Sequence, residues 1–103
     1  HTVPINFLNP RPGTPLSHLK PLPSIEAVKT IAIWRLIMPS KVLMSGGGRE
    51  ITLRDLQSMG VVAGANGMII GNYLTTEGRA PEDDLKMIED LQMPIKDRYN
   101  NEI

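Results

Sequence analysis

Three short apolar runs, each followed by loop residues and then by a helix-spaced segment, constrain this chain more than any other feature. The runs are VPINFL at residues 3–8, VLMSG at 42–46 and MIIG at 68–71. Each is too short for a helix and rich enough in Val, Ile, Leu or Phe for a strand. After each of them apolar residues recur at three- and four-residue intervals, the spacing of one helix face. The order is βα, βα, βα. Such alternation implies an α/β fold with a parallel sheet and right-handed crossovers. Three units do not close a barrel or cover both faces of a large sheet, so the chain is expected to form part of something larger.

Pro4 cannot donate to a ladder and belongs at the start of its strand. Asn6 is the polar exception in the first run. A buried amide without partners costs roughly 1–3 kcal/mol, so Asn6 either bonds neighbouring backbone or meets a ligand. Residues 9–23 hold Pro10, Pro12, Pro15, Pro21 and Pro23, which exclude helix and central strand and make a long stiff loop. His18 lies in it without a second ligating residue at metal spacing, and reads as a surface histidine.

Ser24 can cap the first helix. Ile25, Val28, Ile31, Ala32 and Leu36 follow helical spacing, and Ile33, Trp34 and Ile37 widen the stripe, which predicts cover on more than one side. Arg35 is expected to reach a carboxylate or a helix end with its stem buried. Pro39 stops the helix.

The second strand runs into Gly46, Gly47, Gly48, Arg49 and Glu50. Glycines let a chain turn sharply and let another group approach closely, and ligands of α/β folds sit at such strand ends. Arg49 and Glu50 have two readings, a place on the rim of a binding face or a pair that fixes the loop, and the second is favoured. Thr52 and Asp55 resemble a capping box for the next helix, and Gly64 supplies its stop. Residues 72–80 are a loop, and Pro81 opens the last helix. Its buried side is expected to be Leu85, Ile88 and Leu91, with Glu82 pairing with Lys86. Pro94 ends it, and residues 95–103 form a polar, frayed tail.

Eleven basic and eleven acidic residues leave a formal net charge of +0, which offers nucleic acid and anionic membranes no electrostatic footprint. No apolar run approaches a membrane span, and no signal peptide is visible. Cysteine is absent, which removes disulfides, thiolate metal sites and a cysteine nucleophile and fits a cytoplasmic protein. The chain opens on His1 with a strand two residues later, as a piece cut from a longer protein does.

Four stretches together resemble one family. They are VPINFLNPRPGTPL (residues 3–16), TIAIWRLIMP (30–39), GGRE with LRDLQSMGVVAGANGMIIGNYLTT (47–76), and APEDDLKMIEDL (80–91). In this order and spacing they are similar to the C-terminal part of biotin synthase, the biotin and thiamin synthesis-associated domain. The resemblance implies that residues 1–94 are the last part of a radical S-adenosylmethionine TIM barrel. Residues 3–8, 42–46 and 68–71 would be its strands 6, 7 and 8. It implies an enzyme that inserts sulfur into dethiobiotin, with S-adenosylmethionine, a 4Fe–4S cluster and an auxiliary 2Fe–2S cluster as cofactors. A missing N-terminal part of the barrel would be its partner in a homodimeric, cytoplasmic parent.

On the same grounds Asn6 matches the asparagine that binds the ureido ring of dethiobiotin, which needs both a donor and an acceptor. Phe7, Leu8 and Asn9 match the segment at the S-adenosylmethionine site, where Asn9 replaces an apolar residue. The cluster cysteines lie upstream in the family, so this chain alone is expected to be inactive. Met44 stands where the family carries the arginine that ligates the auxiliary cluster. That departure keeps open a related radical enzyme that does not insert sulfur. A non-catalytic α/β module that pairs through its sheet edges is the further alternative.

Overall fold

The structure is a computed structural model that describes residues 1–73, 77–97, 99, 101 and 102. Residues 74–76 of the expected loop, and Arg98, Asn100 and Ile103 of the tail, lie outside the described residues. The chain divides into two compact units, His1–Ile69 and Ile70–Ile103.

The first unit holds three parallel strands, β1 (Thr2–Ile5), β2 (Val42–Ser45) and β3 (Gly67–Met68), in the order β1-β2-β3. Thr2 pairs with Val42 and Ile5 with Ser45, while Met44 pairs with Gly67. This is the parallel α/β arrangement that the alternation of elements predicts. The strands are shorter than expected. Asn6, Phe7 and Leu8 leave the ladder because the Phe7 N–H turns to the Gly47 carbonyl at 2.8 Å. β2 stops one residue before Gly46. β3 starts one residue early, at Gly67, where a Cβ would crowd Val42 and Met44 at 3.0 and 3.2 Å. Ile69 still donates to the Ser45 carbonyl at 3.0 Å, but Ile70 and Gly71 lie beyond the sheet.

Helix α1 (Ser24–Ile37) buries Ala27, Val28 and Ile31. Ile31 joins Ile5, Leu43 and Ala65 in the core, with Val3 packed beside them. Burying side chains such as Ile31 and Leu43 stabilises the fold by roughly 1.5–3 kcal/mol each. Side chains alternate along a strand, so Thr2, Pro4, Val42 and Met44 lie on the opposite sheet face. There the first three are exposed and Met44 is half-buried.

Ser24 does not cap α1. The Pro23 carbonyl takes the Glu26 and Ala27 N–H groups at 3.0 and 3.2 Å, which draws Ser24 inside as the first helical residue. As expected, α1 is covered by the sheet, through Ile31, and by the helical segment 53–63, through Ala27 and Val28, but its outer side is open, with Ile33, Leu36 and Ile37 55%, 82% and 70% exposed. Arg35 finds helix ends, not a carboxylate. Its guanidinium donates to the carbonyls of Met38, Pro39, Lys41 and Gly64 and to Asn66 Oδ1. Carbonyls left over at helix C-termini attract such a cation.

The helix expected from Thr52 onward is broken into α2 (Arg49–Thr52), a 3-10 turn (Arg54–Leu56) and α3 (Gln57–Ala63). Gly48, at φ +83, turns the chain and accepts from the Ile51 and Thr52 N–H groups at 3.2 and 3.1 Å. The helix therefore starts at Arg49, and Thr52 closes α2 instead of capping a later helix. Its buried hydroxyl meets no hydrogen-bond partner among the described residues. Arg54 takes φ +48 at the break. Leu53 is buried in a cluster with Ala27 and Val28 and packs on Gly60 of α3, where a Cβ would lie 3.3 Å from it. Gly64, at φ +137, ends α3 as its position predicts.

The second unit carries α4 (Pro81–Asp90), with Pro81 in its first turn beside Glu82, Asp83 and Asp84. Asp84 is buried and ion-paired with Arg79. Leu85 is exposed instead of buried, while Met87, Ile88 and Leu91 are half-buried. Lys86 reaches forward to Asp90 at 3.1 Å, not back to Glu82, whose charge sits at the helix's positive end. The hydrogen bond to Asp90 and its charge raise the Lys86 pKa. In the tail, Lys96 and Glu102 form an isolated antiparallel bridge. The Asp97 carboxylate accepts from the Asn101 and Tyr99 N–H groups, and these bonds lower its pKa. No described helix is long and apolar enough to cross a membrane.

Candidate functional site

Parallel strands bring their C-terminal ends to one edge, where ligands of open α/β sheets bind. Here β1 delivers Asn6 and Phe7, β2 delivers the three glycines, and β3 delivers Ile69. The Gly46 N–H donates to the Ile5 carbonyl at 2.8 Å, extending the ladder by one bond. The Gly47 N–H then donates to Asn6 Oδ1 at 3.0 Å, and the Gly47 carbonyl receives the Phe7 N–H. Gly48 follows with its Cα against the Phe7 carbonyl, so closely that a Cβ would overlap the oxygen. Only glycine takes its φ of +83 without strain and fits that gap.

This bonding fixes Asn6. Gly47 offers an N–H, so the side-chain oxygen must face the loop and the amide nitrogen is turned away from it. Asn6 is exposed, and its Nδ2 has no hydrogen-bond partner among the described residues. Phe7 is half-buried and packs on both core clusters, and its N–H is already committed to Gly47. Leu8 is exposed and Asn9 half-buried. Among the described residues their main-chain N–H groups meet no partner. The edge thus presents a neutral amide donor and free main-chain groups, which suit an uncharged polar ligand.

The loop is held from behind by Arg49, which is 1% exposed. Its guanidinium donates to Gln57 Oε1 at 3.0 Å and to the Ile69 carbonyl at 3.1 Å. Gln57 Nε2 donates back to the Arg49 carbonyl at 2.9 Å. Glu50 lies 3.9 Å from Arg49 Nε. Arg49 therefore ties the start of α2 to α3 and to the exit of β3, the fixing role favoured from its position in the sequence.

The biotin and thiamin synthesis associated domain matches residues 4–94. This chain belongs to that family. It is 57% identical over 95 residues to biotin synthase of Rhodococcus jostii, 55% over 94 residues to that of Frankia alni, and 56% over 95 residues to that of Mycobacterium leprae. Each match covers 91% of this chain and 27% or 28% of the relative. The chain thus matches the C-terminal part of biotin synthase and spans about a quarter of the length of these relatives.

As a member of the biotin and thiamin synthesis associated domain family, the chain can be tested against the cofactors of biotin synthase. It contains no cysteine. Among the described residues no group of three or more His, Cys, Asp or Glu side chains could hold a metal ion. These residues do not fit an iron–sulfur cluster. Met44 sits mid-strand between Pro4 and Gly67, on the sheet face away from Ile31, with its thioether half-buried.

Two residues that hold the site together are not visible in the sequence pattern. Gln57 meets Arg49 from eight positions away, too far along a continuous helix but within reach across the break between α2 and α3. Asn66 accepts from the Leu43 N–H and from Arg35, locking α1 to β2 and to the turn before β3. Its one sequence signal is the Asn-Gly pair, since Asn in a turn often bonds main chain.

Proposed function

We propose that residues 1–94 form the last three βα units of a radical S-adenosylmethionine TIM barrel with biotin synthase activity, followed by a polar tail at 95–103. In this reading the edge built by Asn6 and the glycine loop binds dethiobiotin. Asn6 Nδ2 donates to the ureido oxygen, while Oδ1 stays on Gly47 and keeps a second lone pair for a ureido N–H. Leu8 and Asn9 contact S-adenosylmethionine through main-chain groups, and Phe7 through its ring. S-adenosylmethionine and iron–sulfur clusters supply the radical chemistry, and the clusters' ligands come from the part of the barrel outside this chain.

The observation that carries this reading is the state of Asn6: exposed, oriented by Gly47, with its nitrogen free among the described residues. The test is Asn6→Asp in a full-length biotin synthase carrying this sequence as its C-terminal segment. The carboxylate keeps an acceptor for Gly47 and loses the donor. Dethiobiotin affinity is expected to fall about tenfold or more, the worth of one hydrogen bond plus an unfavourable oxygen–oxygen approach. Unchanged affinity contradicts the reading.

Met44 favours a second reading, a related enzyme without sulfur insertion. A thioether does not replace a guanidinium as a hydrogen-bonding or charged group. Robust biotin formation by the full-length enzyme with Met44 in place removes this reading. A gain of biotin formation and iron content on Met44→Arg supports it.

A further inference from the structure

We infer that the Asn66–Gly67 peptide is a site of spontaneous deamidation that the fold holds shut. Of the asparagines in the chain only Asn66 precedes a glycine. Glycine has no Cβ to shield its nitrogen, which can then approach the preceding side-chain amide closely. In the reaction the Gly67 nitrogen bonds to Asn66 Cγ and gives its proton to water, while Nδ2 takes up a proton and leaves as ammonia. Water then opens the cyclic imide at either carbonyl, which yields aspartate or isoaspartate. Asn66 is exposed, and its Nδ2 makes no hydrogen bond among the described residues, so water reaches the leaving group.

The fold restrains both reacting partners. Asn66 Oδ1 accepts from the Leu43 N–H at 3.0 Å and from Arg35 Nη2 at 2.9 Å. Gly67 is paired with Met44 in β3. Ring closure has to turn the amide toward the Gly67 nitrogen and swing that peptide out of the strand, so it proceeds from locally opened molecules. The two products differ in their effect on the fold. Aspartate keeps acceptors for both donors and sets a carboxylate against the Arg35 guanidinium. Isoaspartate routes the main chain through the side-chain methylene, and the longer link shifts Gly67 against Met44.

The test is incubation of full-length biotin synthase carrying this sequence at mildly alkaline pH, with and without unfolding guanidinium chloride. Mass spectrometry of the tryptic peptide of residues 55–79 reads the product. Asn72 in the same peptide precedes a tyrosine and serves as the internal control. Asn66 is expected to deamidate about thirtyfold or more slowly in the folded protein, the worth of two hydrogen bonds of which one comes from a cation. Arg35→Met, its fold verified by circular dichroism, is expected to raise the folded-state rate about tenfold. The comparison of folded with unfolded protein stands where that variant does not fold. Equal rates in the two states, an Asn66 that stays intact in the unfolded protein, or a folded Arg35→Met with an unchanged rate overturns the inference.

Discussion

The two sides of the glycine loop are built on opposite terms. In front, Asn6 holds the loop with one neutral hydrogen bond, stays exposed, and keeps its nitrogen free among the described residues. Behind, Arg49 is buried, and its guanidinium is taken up by Gln57 and the Ile69 carbonyl. Its two terminal nitrogens are bonded inside the fold, as a buried charge requires, so the rear is committed to holding the loop. An exposed amide costs little to leave half-used and remains available to a ligand. The contrast teaches that the charged residue of the loop is committed to holding it, while the neutral one keeps a donor available, the reverse of what charge alone suggests.

The largest effect is expected at the rear. Arg49→Met leaves Gln57 and the Ile69 carbonyl without their partner and should lower the unfolding free energy of the full-length protein by roughly 1–3 kcal/mol for each of these two groups. Urea denaturation measures it, and a loss below about 1 kcal/mol would break the comparison. At the junction, Gly48→Ala forces a Cβ onto the Phe7 carbonyl at a positive φ. It should cost roughly 1–3 kcal/mol in the same assay and also displace Phe7. At the front, Asn6→Ala should change stability by less than about 1 kcal/mol, because its one hydrogen bond is exposed. Its effect should appear in dethiobiotin affinity instead. A large stability loss there would move Asn6 to the structural side.

Much of this arrangement is legible in the sequence, and the exceptions have physical causes. The order of strands and helices follows from short β-rich runs alternating with helix-spaced apolar residues. The three glycines announce a sharp turn and a close approach, and Gly48 against Phe7 is that approach. Boundaries are harder to read. Phe7 is as apolar as a strand residue, yet its N–H leaves the ladder for Gly47. Thr52 has the spacing of a cap, but a helix already nucleated by the Gly48 carbonyl has no use for one. Ile33, Leu36 and Ile37 look like core and stand exposed, because hydrophobicity does not say whether a neighbour is present. Contacts between distant polar groups, such as Gln57 with Arg49 or Asn66 with Arg35, carry no local pattern at all.

The most direct measurement is a structure of full-length biotin synthase carrying this sequence with dethiobiotin bound. The expected result is Asn6 Nδ2 within hydrogen-bond reach of the ureido oxygen, about 2.7–3.2 Å, with Oδ1 still on the Gly47 N–H and Arg49 still enclosed behind the loop. A ureido ring bound away from Asn6, or an Asn6 amide that leaves Gly47 to reach it, would contradict the division of labour between the two sides of the loop.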